Sequence, residues 1–240
     1  MYKINLLLIA TNKYTIFVKP LIDSIERWFF TKEDVRIFLF SDKEAVDSRV
    51  FPIKIEHAPH PLITLLRYKT FLENKKFFDD KNTYTFYLDI DSLVVGEVTS
   101  EILPETGLVV TEHPGFAGKP GQGSWESRKE SMCYVPPKDR NLYVCGGFNG
   151  GTTTAFLEMS EKCNELIQKD LTRGILPIHN DESALNYYIT TVKEKKVLSC
   201  EYTWPEGGIE THDWFIWPRL HPESRSRILA LNKSHDEIRN

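Results

Sequence analysis

The chain has 240 residues, of which 41% are hydrophobic and 27% charged, with a formal net charge of −4. That length and balance fit one large globular domain. A mildly acidic chain with no Lys/Arg block excludes the electrostatic footprint of a nucleic-acid binder or of an anionic-membrane binder. In chain order, residues 3–10 read as a buried first strand, because the apolar run is too short to span a bilayer and lacks a small-residue cleavage site. Residues 19–30 read as a helix, with Leu21, Ile22, Ile25, Trp28 and Phe29 forming one stripe. Residues 35–40 and 50–56 read as strands, 62–78 as a helix with Leu65, Leu66, Phe71 and Leu72 inward, and 84–88 as a further strand. Such alternation of strand and helix predicts a parallel α/β sheet. Beyond it come a strand at 107–112, a turn-rich stretch at 113–124, a strand at 143–148 closing in Gly150-Gly151, and helices at 153–169 and 181–190. The remainder is aromatic-rich and irregular, and the absence of repeats or linkers predicts a single domain.

The strand at 84–88 ends in two carboxylates one residue apart, Asp89 and Asp91. Alternate residues of a strand share a face, so both acids can converge where the sheet stops. Holding two like charges together is costly unless a cation sits between them. Hard divalent ions such as Mn²⁺ or Mg²⁺ take carboxylate oxygens and keep positions open for phosphate oxygens. In parallel sheets ligands bind outside the strands' carboxyl ends, where this pair falls. The haloacid-dehalogenase type of phosphotransferase also opens with Asp-x-Asp, but it wants Thr or Val where Leu93 stands, and it places the motif on the first strand. The four cysteines, Cys133, Cys145, Cys163 and Cys200, lie far apart with no C-x-x-C. They predict a reduced setting without a zinc site or a disulfide framework.

The segments D-I-D, H-P-G-F, W-E-S-R-K-E-S, C-G-G-F-N-G-G, H-N-D-E-S-A-L-N-Y-Y, L-S-C-E-Y and K-S-H-D-E-I-R-N follow one another from Ile9 to the last residue. In this order and at near-equal spacing they resemble family 6 glycosyltransferases, the group of the blood-group A and B transferases and the α-1,3-galactosyltransferases. The resemblance implies a type A glycosyltransferase fold, a Rossmann-like mixed sheet flanked by helices. It further implies a UDP-sugar donor, an acceptor with terminal galactose, and transfer that retains the α configuration. Asp89 and Asp91 would hold Mn²⁺ (or Mg²⁺) against the UDP diphosphate, a Lewis acid for the leaving group. Some bacterial members carry Asn at both places and need no metal; this chain keeps both acids. Vertebrate members carry an anchor and stem, whereas this resemblance begins close to residue 1, so the expectation is a cytoplasmic protein with no membrane anchor.

Residue by residue, the resemblance places Ile9, Thr11 and Tyr14 at the uridine and Arg67 at the donor. Cys145, Gly146 and Gly147 would line the donor sugar. Glycine at position 147 accompanies room for an N-acetyl group, whereas alanine there accompanies galactose. Asp181 would contact the sugar's hydroxyls and Glu182 would lie at its β face, as nucleophile or as electrostatic support. Read without the family, Asn180 is an N-cap and the two acids suit a helix's first turn. His113, Ser124 and His179 would bind the acceptor. The W-E-S-R segment places Glu126 and Arg128 in reach of a structural salt bridge. The tail, residues 233–240, would fold over the nucleotide, with Lys233 and Arg239 neutralising its phosphates and excluding water. A non-catalytic glycan- or nucleotide-binding protein on the same fold is the alternative.

Overall fold

The computed structural model describes residues 1–44 and 47–233. Its main sheet has seven strands, β1 (Lys3–Ile9), β2 (Asp34–Ser41), β3 (Phe51–Lys54), β4 (Tyr84–Leu88), β6 (Leu108–Glu112), β7 (Val144–Thr152) and β8 (Lys195–Leu198), in the order β3-β2-β1-β4-β7-β6-β8. A smaller sheet of β5 (Ser92–Val94), β10 (Ile228–Ala230) and β9 (Trp204–Pro205) abuts it. Strand β1 is buried on both faces: Ile4, Leu6 and Leu8 enter one hydrophobic core, Leu7 and Ile9 the other. Two helix layers supply the partners. Helix α1 (Val18–Trp28) lays Leu21, Ile22 and Ile25 on the first core. Helices α4 (Thr153–Thr172) and α5 (Asn180–Thr191) close the second with Phe156, Cys163, Ile167, Leu185 and Ile189.

The expected parallel pairing holds across the first half, where β3, β2, β1 and β4 are all parallel. Strand β7 then runs antiparallel to both β4 and β6, which makes the sheet mixed, as in a type A glycosyltransferase fold. It is also longer than expected, because Gly150 and Gly151 continue the ladder instead of ending it. The helix expected over residues 62–78 is broken into α2 (Leu62–Leu65), α3 (Arg67–Glu73) and a 3-10 turn at Lys75–Phe77. Leu66, at φ −89° and ψ 1°, lies outside helical geometry and marks the break just before Arg67. The region expected to be irregular contributes β8, β9 and β10. Their short runs carry too little period-2 patterning to be seen alone. No helix among the described residues is long and apolar enough to cross a membrane. The four cysteines are free.

Candidate active site

The cavity wall begins with a bulge. Along β6 and β7, Val110 pairs with Asn149 but the next residue, Thr111, pairs with Cys145, so residues 146–148 stand opposite a single step of β6. The Thr111 hydroxyl donates to the Phe148 carbonyl at 2.9 Å and fixes the distortion. Bulges of this kind re-aim backbone groups, often next to active sites. Here the bulge turns the Gly146 amide toward α5, where it donates to Glu182 Oε2 at 2.8 Å. A β-carbon on Gly146 would lie 2.8 Å from Arg67 Nη2 and 3.4 Å from Glu182 Oε2, so only glycine fits beneath these charges.

Helix α5 delivers the second wall. His179 occupies the N-cap position and no side chain there caps the helix, which corrects the reading of Asn180 as N-cap. Asn180 instead takes a left-handed φ of 51°, a conformation asparagine tolerates better than most residues. Ser183 accepts the His179 amide at 3.0 Å. One turn after Glu182, Asn186 exchanges hydrogen bonds with both the amide and the carbonyl of Val144, clamping α5 to β7. Glu182 Oε1 accepts from the Tyr143 hydroxyl at 2.9 Å, and that hydroxyl also lies 3.3 Å from the Ser124 carbonyl. Burial, reinforced by the Glu182 charge, holds the Tyr143 phenol far above its ordinary pKa, so it stays a donor.

Arg67, only 3% exposed, ties the walls together. Its guanidinium contacts the Asp181 carboxylate, donates to the Gly146 carbonyl at 3.2 Å and stands 3.7 Å from Asp89 Oδ1. It also stacks over the Tyr87 ring at 4.4 Å. Burial opposes its charge, but Asp181 and Asp89 outweigh that and keep it protonated. Burial lifts the Asp181 carboxyl to about 7; Arg67 opposes the rise and the Asp89 and Glu182 carboxylates add to it. Tyr87, on the same strand face as Asp89, donates to Asp89 Oδ1 at 2.6 Å. The Asp89 amide donates to the Gly147 carbonyl at 2.8 Å, linking the end of β4 to the bulge.

Of the residues predicted for the site, all except His113, Ser124 and Arg239 line one cavity of about 320 Å³. Ile9 and Thr11 reach it from the end of β1 and the turn after it, Tyr14 from the following 3-10 turn at Asn12–Phe17. The Thr11 hydroxyl lies 2.9 Å from His57 Nδ1. Lys233 contacts the Asp91 carboxylate and lies 5.2 Å from the centroid of the Tyr14 ring. Arg239, with the rest of the expected closing tail, lies outside the described residues. His113 lines a second cavity, also of about 320 Å³, in which Asp89, Asp91, Cys145, Gly147 and Lys233 reappear as a shared wall. Its Nδ1 accepts the Gly115 amide at 3.0 Å and burial pushes its pKa down, leaving a neutral ring. Ser124 lines neither cavity and contributes its carbonyl to Tyr143.

Glu126 and Arg128 form the structural bridge, at 2.5 Å. Burial of Glu126 is outweighed by the hydrogen bonds of Arg128 and Ile178, which hold the carboxyl below its ordinary range. Arg128 also donates to the Leu176 carbonyl at 2.6 Å, so this pair straps the long loop to the segment entering α5. Sequence reasoning missed Tyr87, Tyr143, Asn186 and His57. Tyr87 was accessible through strand period and Asn186 through the i+4 spacing from Glu182; nothing local signals His57.

Asp89 and Asp91 offer hard oxygens on one wall, and the Asp89 side chain is 44% exposed. Asp91 already receives one cation, the Lys233 ammonium. No group of three or more His, Cys, Asp or Glu side chains able to cage a metal occurs among the described residues. The pair therefore fits a divalent ion that completes its coordination with ligand oxygens and water.

The chain is similar in sequence to known proteins. The chain is 32% identical over 217 residues to the O-antigen biosynthesis glycosyltransferase WbnI of Escherichia coli, covering 88% of this chain and 91% of that one. It is 27% identical over 248 residues to histo-blood group ABO system transferase 1 of Rattus norvegicus, covering 99% and 68%. It is also 27% identical over 246 residues to globoside alpha-1,3-N-acetylgalactosaminyltransferase 1 of Gallus gallus, covering 96% and 67%. Residues 2–240 match the sequence pattern of glycosyltransferase family 6, so the cavity just described is carried by a chain that belongs to that family.

Proposed function

We propose that this glycosyltransferase moves N-acetylgalactosamine, or galactose, from UDP to a galactose-type acceptor hydroxyl in α-1,3 linkage with retention, using Mn²⁺ or Mg²⁺. The observation that carries the reading is the Glu182 carboxylate, held by the Gly146 amide and the Tyr143 hydroxyl in the cavity that also contains Asp89 and Asp91. Two fixed donors orient this carboxylate without neutralising it, which suits a group that must face positive charge developing at a sugar's anomeric carbon. A divalent ion on Asp89 and Asp91 would supply Lewis-acid stabilisation of the departing diphosphate. Lys233 adds a positive charge at the same end. Asp181, oriented by Arg67, presents an acceptor for sugar hydroxyls. The name of the globoside relative, an alpha-1,3-N-acetylgalactosaminyltransferase, supports the linkage and the donor sugar.

Gly147 supports N-acetylgalactosamine over galactose. A β-carbon there would lie 3.0 Å from Asp89 Oδ2 and 3.7 Å from the Cys145 sulfur, so glycine leaves that volume open beside the metal-side carboxylate. The test is release of UDP from UDP-N-acetylgalactosamine and UDP-galactose with Mn²⁺, followed by linkage analysis of the product. Donor binding without release, for every donor tried, would favour the non-catalytic alternative.

A further inference from the structure

Trp125 and Glu126 of the W-E-S-R segment line neither cavity, yet both side chains are buried and each leads to the start of α5. The Glu126 carboxylate is saturated with donors. Its Oε1 accepts the Arg128 amide at 3.0 Å and Arg128 Nε at 2.9 Å; its Oε2 accepts Arg128 Nη2 and, at 2.9 Å, the Ile178 amide. The same Nη2 donates to the Leu176 carbonyl, so two backbone groups between α4 and α5 hang on one ion pair. That segment has little packing of its own, since the Leu176 and Ile178 side chains are 49% and 55% exposed and Pro177 alone is buried. No side chain at the N-cap of α5 fixes its first residue either. Trp125 approaches from the other side: its indole donates to the Gly121 carbonyl at 3.1 Å and stands edge-on to the Tyr143 ring, 5.0 Å between centroids. Burying a carboxylate costs solvation that its partners only roughly return, so net stability is a poor account of why Glu126 is there.

We infer that Glu126 and Trp125 are positioning residues for the Glu182 carboxylate, acting on it from two sides without touching it. Glu126 sets the level at which α5 begins, through the Ile178 amide four residues before Glu182. Trp125 sets the Tyr143 ring, whose hydroxyl Glu182 Oε1 must meet. The bonds of Glu182 to that hydroxyl and to the Gly146 amide, 2.9 Å and 2.8 Å, close together only when α5 starts at one level over β7. Asn186 clamps the following turn to Val144, but the first turn of a helix is the part that frays, and here the ion pair holds it. A group misplaced by about 1 Å can lose about 100-fold in rate, which gives a remote strap leverage over turnover.

The inference rests on the proposed transferase reading, so one readout is turnover and the other is not. Glu126→Gln keeps the volume but sets an amide against the Arg128 guanidinium. It is expected to lower kcat for UDP release from UDP-N-acetylgalactosamine with Mn²⁺ about 30-fold, with the donor KM and the UDP Kd within a factor of about two. Added to Glu182→Gln it should cost less than about threefold more, because the group it positions is already gone. Amide exchange by NMR on the nucleotide-free protein reads the geometry alone. Glu126→Gln should speed exchange of the Gly146 amide about tenfold, while the Leu6 and Leu7 amides of β1 keep wild-type rates. Trp125→Phe leaves the ion pair intact and carries the same test if Glu126→Gln fails to fold, with an expected change of about threefold in both readouts. Unchanged Gly146 exchange, or a full 30-fold loss on top of Glu182→Gln, overturns the inference. Faster Gly146 exchange in the variants, with no UDP release by the wild type from any donor, supports the placement of Glu182 and sinks the transferase reading alone.

Discussion

Two pairs of acids face the first cavity, and they are built in opposite ways. Asp89 and Asp91 leave the end of β4 half-open to solvent or met by the chain's last described residues. Asp181 and Glu182 sit in the first turn of α5, one locked to a buried arginine and the other to an amide and a phenol. On the proposed reading the first pair, met by Tyr87 and Lys233, would hold a divalent ion together with its ligand. The second pair has its geometry settled before any ligand arrives, which is what pre-organised electrostatic support requires.

The largest effect is expected where a buried charge loses its partner. Arg67→Ala leaves Asp181 buried without its cation and should cost about 3–5 kcal/mol in chemical denaturation. Adding Asp181→Leu should recover much of that loss; no recovery would mean that Arg67 matters chiefly through packing on Tyr87. Next comes Glu182→Gln, expected to lower turnover about 100-fold or more while UDP affinity stays within a factor of about two. Equal losses in turnover and UDP affinity would show Glu182 acting as a structural group. Asp91→Asn should leave stability nearly unchanged and raise the Mn²⁺ concentration needed for half-maximal rate about tenfold or more. Activity undiminished by a chelator would remove the metal from the scheme.

Smaller effects sharpen the same contrast. Gly147→Ala puts a methyl group against Asp89 Oδ2 and should shift preference toward UDP-galactose, read as the ratio of kcat/KM for the two donors. An unchanged ratio refutes the donor argument. For His113 burial lowers the pKa, so the folded state holds fewer protons than the unfolded one below the ordinary value of 6.5. Its contribution to stability is therefore complete above pH 6.5 and lost as the pH falls through the depressed folded value. Urea unfolding between pH 7.5 and 5 should show a slope of at most about 1.4 kcal/mol per pH unit from this group, absent in His113→Gln.

Much of this was legible beforehand. The Asp-x-Asp pair was readable because strand period and an apolar run place both acids at one sheet edge. The acids of α5 were readable as a helix start, although Asn180 turned out to lie in the left-handed region and not at the cap. The parallel half of the sheet followed from regular alternation. The antiparallel β7 did not, because its glycines read as a terminator, whereas Phe86 and the β4 backbone pass closely over Gly150, and Gly107 and Leu108 over Gly151. The Glu126–Arg128 bridge was foreseen, but its role in tying a loop to the entry of α5 was not.

What the amino-acid order determined unaided was the type of the longer elements up to residue 191, the acidic strand end and the family resemblance, since each depends on neighbours within a few residues or on motif order. Tertiary structure alone decided which donors hold Glu182, that Arg67 bridges Asp181 and Asp89, and that Glu126 holds the Ile178 amide ahead of α5. Such relations join residues far apart in the chain, Tyr143 and Glu182 by 39 positions and Arg67 and Asp181 by 114. No local period encodes them, because they arise only when a bulged strand and a helix start are pressed together over a common core.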